Sequence, residues 1–270
     1  MADQKRISLN QITTERWTVE QTVAACVRYG IPSVALWRHR LAETGLEKAA
    51  RLVQDAGLHV SSVCRGGMFP APTITEWRKR IQDNLRAIEE AAELKADCLV
   101  LVTGADPRVK LADAREMVKD GIAAIASYAE KLGVCLGVEP LHPMFAGDRS
   151  VVNTIDQALD IAELYPASVA GVVLDVIHIW WDPRVFALIQ RCAGRIVGFH
   201  VSDWLVPTPD ILKCRGMIGD GVIDIRSLRL AVDAAGYNGP IEVEILNQKI
   251  WDTPGDEVVR TMRDRFEKLV

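Results

Sequence analysis

Short, continuously apolar runs alternate with longer segments of helical periodicity along the whole chain. The apolar runs are rich in Val, Ile and Leu, which is typical of parallel strands buried on both faces. They predict eight strands, at residues 7–12, 32–37, 58–64, 98–102, 134–139, 169–175, 196–201 and 240–245. The intervening segments predict helices at residues 18–29, 44–57, 75–94, 112–132, 153–164, 183–192, 225–235 and 255–269.

Polar residues indicate where two of these helices begin. The segment Thr44-Gly-Leu-Glu47 has the spacing of a capping box, in which the two side chains accept hydrogen bonds from each other's backbone. Asn153 can cap the helix that follows it. The basic stretch Arg38-His39-Arg40 is expected to be a solvated loop.

The alternation of strands and helices over 270 residues fits one α/β domain, a (β/α)₈ TIM barrel covering residues 1–270. No internal repeat, linker or low-complexity stretch suggests a second domain. A doubly wound open sheet is the structural alternative. It is disfavoured because no Gly-x-Gly-x-x-Gly follows the first strand.

Composition narrows the classes of partner and compartment. Apolar residues make up 49% of the chain, and the net charge is −4, from 32 basic and 36 acidic residues. A dedicated nucleic-acid surface normally needs a basic patch, so no nucleic-acid partner is expected. The six cysteines form no Cys-x-x-Cys pair and are interpreted as reduced thiols. With no apolar signal core at the N-terminus and no run of ~20 apolar residues, we expect a cytoplasmic protein without a membrane partner.

Four of the apolar runs end, or nearly end, in a side chain that can bind a metal ion: Glu139, Asp175, His200 and Glu244. In a barrel, the carboxyl ends of consecutive strands form one arc of the rim, where barrel enzymes keep their chemistry. Three carboxylates and one imidazole suit a single Mn²⁺ ion best, and Mg²⁺, Co²⁺ or Zn²⁺ are also compatible. Taken singly, Asp175 could instead cap the next helix. Glu242 competes with Glu244, which we prefer because it lies nearer the carboxyl end of its strand.

Further polar and aromatic residues follow the same strands. The candidate substrate-binding residues are His178, Arg215, His142, Trp37 and Trp181. The forked guanidinium of Arg215, in the long loop after strand seven, suits a substrate hydroxylate, carboxylate or phosphate. The loop tryptophans can stack on a sugar face. Asp203, three residues after His200, is expected to orient that imidazole.

Several motifs together resemble one known superfamily. They include Val-Glu-Pro-Leu-His, Leu-Asp-Val-Ile-His, His-Val-Ser-Asp and Gly-Tyr-Asn-Gly-Pro-Ile-Glu-Val-Glu. The chain resembles, over nearly its whole length, the sugar phosphate isomerase/epimerase superfamily of xylose-isomerase-like barrels. The resemblance implies that Glu139, Asp175, His200 and Glu244 bind one Mn²⁺-type ion and that His178 and Arg215 contact substrate oxygens. In the ketose epimerases of this superfamily, the residues that match Glu139 and Glu244 also act as catalytic proton shuttles.

The same barrel occurs in endonuclease IV, whose pattern this chain does not share. That enzyme holds three zinc ions and adds histidines after strands three and four and in the loop after strand seven. The corresponding stretches here are Cys64-Arg65-Gly66, Val102-Thr103-Gly104 and Gly219-Asp220-Gly221. The departure argues against a trinuclear site and against phosphodiester cleavage.

The resulting hypothesis is a metal-dependent isomerase or epimerase that moves a proton α to the carbonyl of a sugar through an enediolate. The alternative hypothesis is a lyase that uses the same site for β-elimination on a keto-inositol or a 3-keto-glycoside. Such a lyase could have a small partner subunit. A third class is a non-catalytic sugar- or metal-binding barrel. The expected partner is a small sugar or keto-sugar, and a homo-oligomer is also expected.

Overall fold

The computed structural model describes residues 3–270, so the first two residues of the N-terminal segment lie outside the described part. Eight parallel strands close into a barrel. They are β1 (Ile7–Asn10), β2 (Ser33–Trp37), β3 (His59–Gly67), β4 (Cys98–Val102), β5 (Cys135–Glu139), β6 (Ala170–Asp175), β7 (Ile196–Val201) and β8 (Ile241–Val243). Their order around the barrel follows the chain, and β8 pairs with β1, so the TIM barrel prediction is confirmed.

The helices form the outer layer. They are α1 (Val19–Tyr29), α2 (Arg38–Thr44), α3 (Leu46–Asp55), α4 (Ile74–Glu93), α5 (Leu111–Leu132), α6 (Ile155–Ala162), α7 (Val176–Ile179), α8 (Val185–Arg191), α9 (Ile225–Ala234), α10 (Gln248–Asp252) and α11 (Gly255–Leu269). Sequence periodicity missed α2, α7 and α10 because each is too short to repeat an apolar face. Within residues 3–270, no helix is long and apolar enough to cross a membrane.

Two predicted helix starts are wrong. Thr44 is the last residue of α2, so it cannot adopt the extended backbone of a cap, and Gly45 precedes α3 with a φ of 87°. The cap of α6 is Thr154, whose side chain accepts from the backbone N–H of Gln157. Asn153 instead donates its side-chain amide to two backbone carbonyls.

The stretch 38–40 is not a solvated loop, because it opens α2 and its arginines are tied down. The guanidinium of Arg38 pairs with Asp83 at 2.8 Å and with Glu90 at 2.5 Å. Arg40 pairs with Glu15 at 2.8 Å and with another acid of α2. These ion pairs link α2 to its neighbours, and the sequence could not show them since the partners are distant along the chain.

The main core lies between the strands and the outer helices, and a smaller apolar cluster fills the barrel interior. That inner cluster contains Cys64, Cys98, Val100 and Val173. Gly137 makes room for it, because a Cβ there would lie 2.6 Å from Val173 Cγ2. All six cysteines are free. With its interior filled by side chains, the barrel can expose a site only at its end.

A candidate metal centre at the barrel mouth

The four predicted metal ligands converge at one point above the barrel. One donor atom from each of Glu139, Asp175, His200 and Glu244 lies within 4.8 Å of the others, and all four side chains are buried. Glu139 and Asp175 end β5 and β6, His200 is near the end of β7, and Glu244 directly follows β8. The cluster therefore collects residues from four strands that are neighbours in the barrel.

Strand register explains this convergence. Asp175 on β6 pairs with His200 on β7, and His200 pairs in turn with Glu242 on β8. Glu244 lies two residues further and therefore one strand repeat nearer the mouth. Parallel strands point their carboxyl ends to the same edge, so the closed barrel brings these side chains together from positions far apart in sequence.

Asp175 has two roles. Its Oδ1 accepts a hydrogen bond from the backbone N–H of Ile177 at 3.1 Å and so caps α7, as the alternative interpretation of the sequence expected. Its Oδ2 faces the cluster and lies 2.6 Å from Nη1 of Arg215. Helix capping thus orients the carboxylate and leaves one oxygen for a cation.

His200 lies between two groups of carboxylates. Its Nδ1 is 3.5 Å from both Glu139 Oε1 and Glu244 Oε2. Its Nε2 is 3.2 Å from Glu242 Oε2, an oxygen that also accepts from the side-chain amide of Asn10 at 2.9 Å. Glu242 therefore does not replace Glu244 in the cluster but lies on the opposite edge of the imidazole.

The predicted orientation of His200 by Asp203 is wrong. Asp203 accepts hydrogen bonds from the backbone N–H groups of Trp204, Gly219 and Ile223. It thereby holds the long loop after β7. A spacing of three residues after the histidine was an insufficient signal, because it does not show which backbone groups the folded loop brings to this carboxylate.

Arg215 enters the cluster from this loop. It belongs to a two-stranded antiparallel ribbon that pairs Asp203–Trp204 with Arg215–Gly216. Its Nη1 lies 2.7 Å from Glu244 Oε2, in addition to its contact with Asp175, and its Nη2 lies 3.4 Å from His178 Nε2. A single guanidinium therefore bridges two of the four ligand candidates.

The side chains present fit a divalent cation. Four buried carboxylates lie at this point, Glu139, Asp175, Glu242 and Glu244, and of these only Asp175 and Glu244 pair with Arg215. Glu139 Oε1 and both ring nitrogens of His200 are buried without a hydrogen-bond partner. Oxygen and nitrogen atoms without hydrogen-bond partners, gathered beside several carboxylates, are suited to coordinate a divalent cation.

The charges of the site are strongly interdependent. Burial raises the pKa of Asp175 to about 7. Burial also opposes ionisation of Glu244, but Arg215 and His200 outweigh it and lower the pKa of this carboxyl. Since one guanidinium bridges both acids, they titrate as a pair. Burial opposes charging of His200, yet Glu242, Glu139 and Glu244 together raise its pKa well above the ordinary value.

The predicted substrate-binding residues fall into two groups. His178, Arg215 and Trp37 line a cavity beside the cluster, together with two of the metal-ligand candidates. Burial, followed by the charge of Arg215, lowers the pKa of His178 well below the usual value, so its imidazole is neutral. His142 and Trp181 are not among the cavity-lining residues of the described chain. They form an aromatic cluster with Trp204, which does line the cavity. The ring centroid of His142 lies 5.5 Å from that of Trp181 and 5.2 Å from that of Trp204.

Sequence reasoning missed Asn10 and Glu242 as a pair and missed two further cavity-lining arginines, Arg65 and Arg149. Arg65 entered the sequence analysis only within Cys64-Arg65-Gly66, where endonuclease IV has a histidine. Arg149 lies in a loop after β5 with no periodicity around it. A guanidinium next to a predicted strand end was the one available signal for Arg65.

The comparisons with known proteins agree with this geometry. A family model described as a xylose isomerase-like TIM barrel matches residues 23–269. An inosose isomerase from Bacillus velezensis is 24% identical over 195 residues, 68% of this chain and 68% of that protein. An L-ribulose-5-phosphate 3-epimerase from Salmonella paratyphi C is 25% identical over 240 residues, 82% of this chain and 78% of that protein. A 3-dehydroshikimate dehydratase from Pseudomonas putida is 28% identical over 180 residues, 63% of this chain but 27% of that protein.

Solved structures give the same fold. A crystal structure of a protein from Sinorhizobium meliloti 1021 is 45% identical, with a TM-score of 0.96 and coverage of 99% of each chain. The crystal structure of the IOLI protein, which holds a zinc atom, is 18% identical and shares the fold at a TM-score of 0.85 over 98% of each chain. The three relatives named above are an isomerase, an epimerase and a dehydratase. With its barrel, its buried ligand cluster and a family match over most of its length, the chain belongs to the xylose isomerase-like TIM barrel family.

Proposed function

We propose that this protein is a metal-dependent sugar isomerase or epimerase that moves a proton at a carbon α to a carbonyl group. The observation that carries the proposal is the placement of two buried glutamates, Glu139 and Glu244, at the two ends of the β5–β8 arc. A substrate held at the cluster would have one carboxylate on each side. Such an arrangement suits removal of a proton from one face and its return to the other.

In this proposal, Glu244 and Glu139 are the catalytic acid and base, and they also bind the metal with Asp175 and His200. The divalent cation, Mn²⁺ first and Mg²⁺, Co²⁺ or Zn²⁺ as alternatives, would supply charge stabilisation to an enediolate oxygen. One glutamate removes the α-proton as the enediolate forms. The other protonates the opposite face for epimerisation, or the adjacent carbon for isomerisation.

The remaining residues position the substrate. His178, a neutral imidazole, can donate or accept a hydrogen bond with a substrate hydroxyl, and its buried Nδ1 has no partner among residues 3–270. Arg215 reaches the same point and can hold a substrate oxygen. Trp37 offers an aromatic wall on the opposite side of the barrel mouth. His142 and Trp181 support Trp204, which lines the cavity, and we assign them an indirect part in substrate binding.

A dehydratase is the second candidate function. The similarity to a 3-dehydroshikimate dehydratase favours it, because an enolate formed by the same base can lose a β-hydroxyl as water once a general acid protonates that oxygen. Elimination and epimerisation share enolate formation and differ in the next step, which is loss of the β-hydroxyl in the first case and protonation of the carbon in the second. The same site also suits cleavage of a 3-keto-glycoside. Product analysis therefore separates the candidates, whereas the ligand set does not.

The test is proton exchange. The Mn²⁺-loaded protein is incubated in D₂O with a panel of ketoses, ketose phosphates and keto-inositols, and deuterium at each α-carbon is followed by NMR. Exchange with net epimerisation or isomerisation supports the proposal, exchange with loss of water supports the dehydratase, and no exchange on any member of the panel contradicts both.

A matched pair of variants assigns the bases. Glu139→Gln and Glu244→Gln should each slow exchange by about 10²–10⁴-fold, the usual contribution of a general acid or base. Glu93→Gln is the control, because Glu93 is exposed at the end of α4. Full exchange by Glu244→Gln would remove that residue from the mechanism.

A further inference from the structure

The cavity next to the metal centre is lined by three arginines, Arg65, Arg149 and Arg215. The space between these residues, about 540 Å³, includes space that is open to solvent. Arg65 belongs to β3, and Arg149 lies in the loop after β5. Together with Arg215 from the loop after β7, the three arginines therefore come from three separate places around the barrel mouth.

The three arginines differ in what they contact. Arg215 is neutralised by Asp175 and Glu244. Arg65 reaches only Met68 Sδ, at 3.7 Å, and thioether sulfur is a weak acceptor. The guanidinium of Arg149 lies 5.8 Å from the centre of the Phe145 ring. Within residues 3–270, neither Arg65 nor Arg149 forms an ion pair with a carboxylate.

Other half-buried arginines in this protein do have oxygen acceptors, which are carboxylates or, for Arg195, backbone carbonyls. Arg6 pairs with Asp233 at 2.7 Å, and Arg38 pairs with Asp83 and Glu90. A partly buried guanidinium without an acceptor loses hydration with no compensating bond. Arg65 and Arg149 thus resemble the polar groups of a binding site and differ from the arginines that stabilise the fold.

The two guanidinium groups also repel each other. Burial lowers the pKa of Arg149, and the charges of Arg65 and Arg215 lower it further, while the carboxylates of Asp148 and Glu139 partly oppose this effect. An anion between Arg65 and Arg149 would remove this repulsion and provide the missing acceptors. Phosphate and carboxylate oxygens match the forked geometry of a guanidinium.

We infer that Arg65 and Arg149 bind an anionic group, a phosphate or a carboxylate, carried by the sugar at a carbon away from the reacting carbonyl. This inference rests on the proposed function, since it names the substrate class of the same site. Negative charge at the far end of the substrate would bind these arginines while its carbonyl end lies at the acidic cluster. The site thereby discriminates anionic sugars from neutral ones.

The first experiment measures anion binding without catalysis. Chelator-treated protein is titrated with inorganic phosphate by calorimetry, as wild type and as Arg65→Gln, Arg149→Gln and the double variant. Each single substitution should weaken phosphate binding by about tenfold or more, as expected for loss of one charged hydrogen-bond donor pair. Arg78→Gln is the matched control, because Arg78 is exposed on α4, and it should bind as wild type does.

The second experiment measures substrate preference. Deuterium exchange is compared among a neutral ketose, its terminal phosphate and its terminal carboxylate analogue. Arg149→Gln should raise KM about tenfold or more for the preferred anionic sugar and leave the neutral sugar unchanged. Arg149→Lys keeps the charge but not the fork and should be intermediate, which separates anion binding from a folding defect.

The outcomes distinguish this inference from the proposed function. If phosphate binding depends on Arg65 and Arg149 but no sugar exchanges deuterium, the anion site stands and the proposed reaction fails. If neutral and anionic sugars exchange equally well and the arginine variants bind phosphate as wild type does, the reaction stands and the anion site is refuted. Preference for the phosphate over the carboxylate, or the reverse, identifies the anionic group.

Discussion

The two halves of the barrel mouth differ in the acidic residues that they supply. The β5–β8 half carries every predicted metal ligand, and each is buried and close to the others. The β1–β4 half contributes no member of that cluster but supplies Asn10, Trp37 and Arg65. Acids from neighbouring strands can share a cation, whereas the facing half can contact the rest of a substrate. The candidate ligands are thus confined to one half, whereas the cavity-lining residues come from both halves, since His178, Arg149 and Arg215 belong to the β5–β8 half.

A hydrogen-bonded chain joins the halves. The indole N–H of Trp37 donates to Asn10 Oδ1 at 2.8 Å, and the amide of Asn10 donates to Glu242 Oε2 at 2.9 Å. That oxygen is 3.2 Å from His200. A residue of the β1–β4 half thus contacts the carboxylate beside a candidate ligand, so hydrogen bonds link the two halves.

The largest effect is expected from Asp175→Asn in the β5–β8 half. An amide cannot replace the negative charge that faces the cation. Loss of a residue that only contacts a ligand lowers metal affinity by about 10–100-fold, so Asp175→Asn should lower Mn²⁺ affinity by more than that. Calorimetric titration of chelator-treated protein with Mn²⁺ measures it. Asp156→Asn on α6, an acid paired with surface arginines, is the control. Unchanged affinity in Asp175→Asn would separate Asp175 from the metal site.

A core substitution in the other half should affect stability alone. Leu101 on β4 is fully buried, so Leu101→Ala should lower the free energy of unfolding by about 2–5 kcal/mol. Urea denaturation measures the loss. Mn²⁺ affinity at a temperature where the variant remains folded should equal that of wild type, and a parallel loss of affinity would mean that the two halves are coupled through the core.

Glu242 tests the contact between the halves. Glu242→Leu should weaken Mn²⁺ binding by about 10–100-fold, because a carboxylate next to the second nitrogen of a metal-binding imidazole orients the ring. Glu242→Gln keeps an acceptor oxygen and should recover most of the affinity. Asn10→Ala, which removes the other contact of that carboxylate, should have a smaller effect. Equal affinity in wild type and Glu242→Leu would contradict a positioning role.

The smallest effect lies at the opposite end of the barrel, at the start of β3. The pKa of His59 is raised above 6.5, chiefly by its hydrogen bond to Asp97 at 2.7 Å, with burial opposing. A raised pKa stabilises the fold below the unfolded-state pKa, and this contribution is lost as the pH rises through the folded-state pKa. Since the pair is exposed, we expect at most about 0.5 kcal/mol.

The measurement for His59 is the denaturation midpoint at about pH 5.5 and about pH 8.5. His59→Gln should lose part of the pH dependence that wild type shows. His39→Gln is the comparison, because burial lowers the pKa of His39, which reverses the sign of its contribution. An identical pH dependence in wild type and His59→Gln would refute the assignment.

Much of the fold followed from the apolar runs. Strands β4 and β7 have the predicted bounds, and β5 and β6 differ by one residue at their starts. Strands at the barrel closure were less accurate: β1 ends at Asn10, where Gln11–Thr14 form a 3₁₀ turn, and β8 ends at Val243. An apolar run marks burial, but hydrogen bonding with a neighbour decides where a strand ends.

The candidate site was accessible from sequence to the extent that it lies at strand ends. Glu139, Asp175, His200 and Glu244 could be found because each closes an apolar run. The roles of Asp203 and Glu242 could not, since spacing along the chain does not reveal which way a loop turns. Arg65 and Arg149 lack carboxylate partners, and this property exists only in the folded protein.

The amino-acid sequence alone determined the alternation of strands and helices, the parallel barrel and the set of acids and imidazole at its rim, because burial and periodicity are local properties of the chain. Tertiary structure decided which carboxylate contacts which edge of His200, where Arg215 enters, and that two arginines share a cavity with the acids. Those outcomes depend on barrel closure and strand register, which bring together residues more than a hundred positions apart, such as Asn10 and Glu242 at a separation of 232.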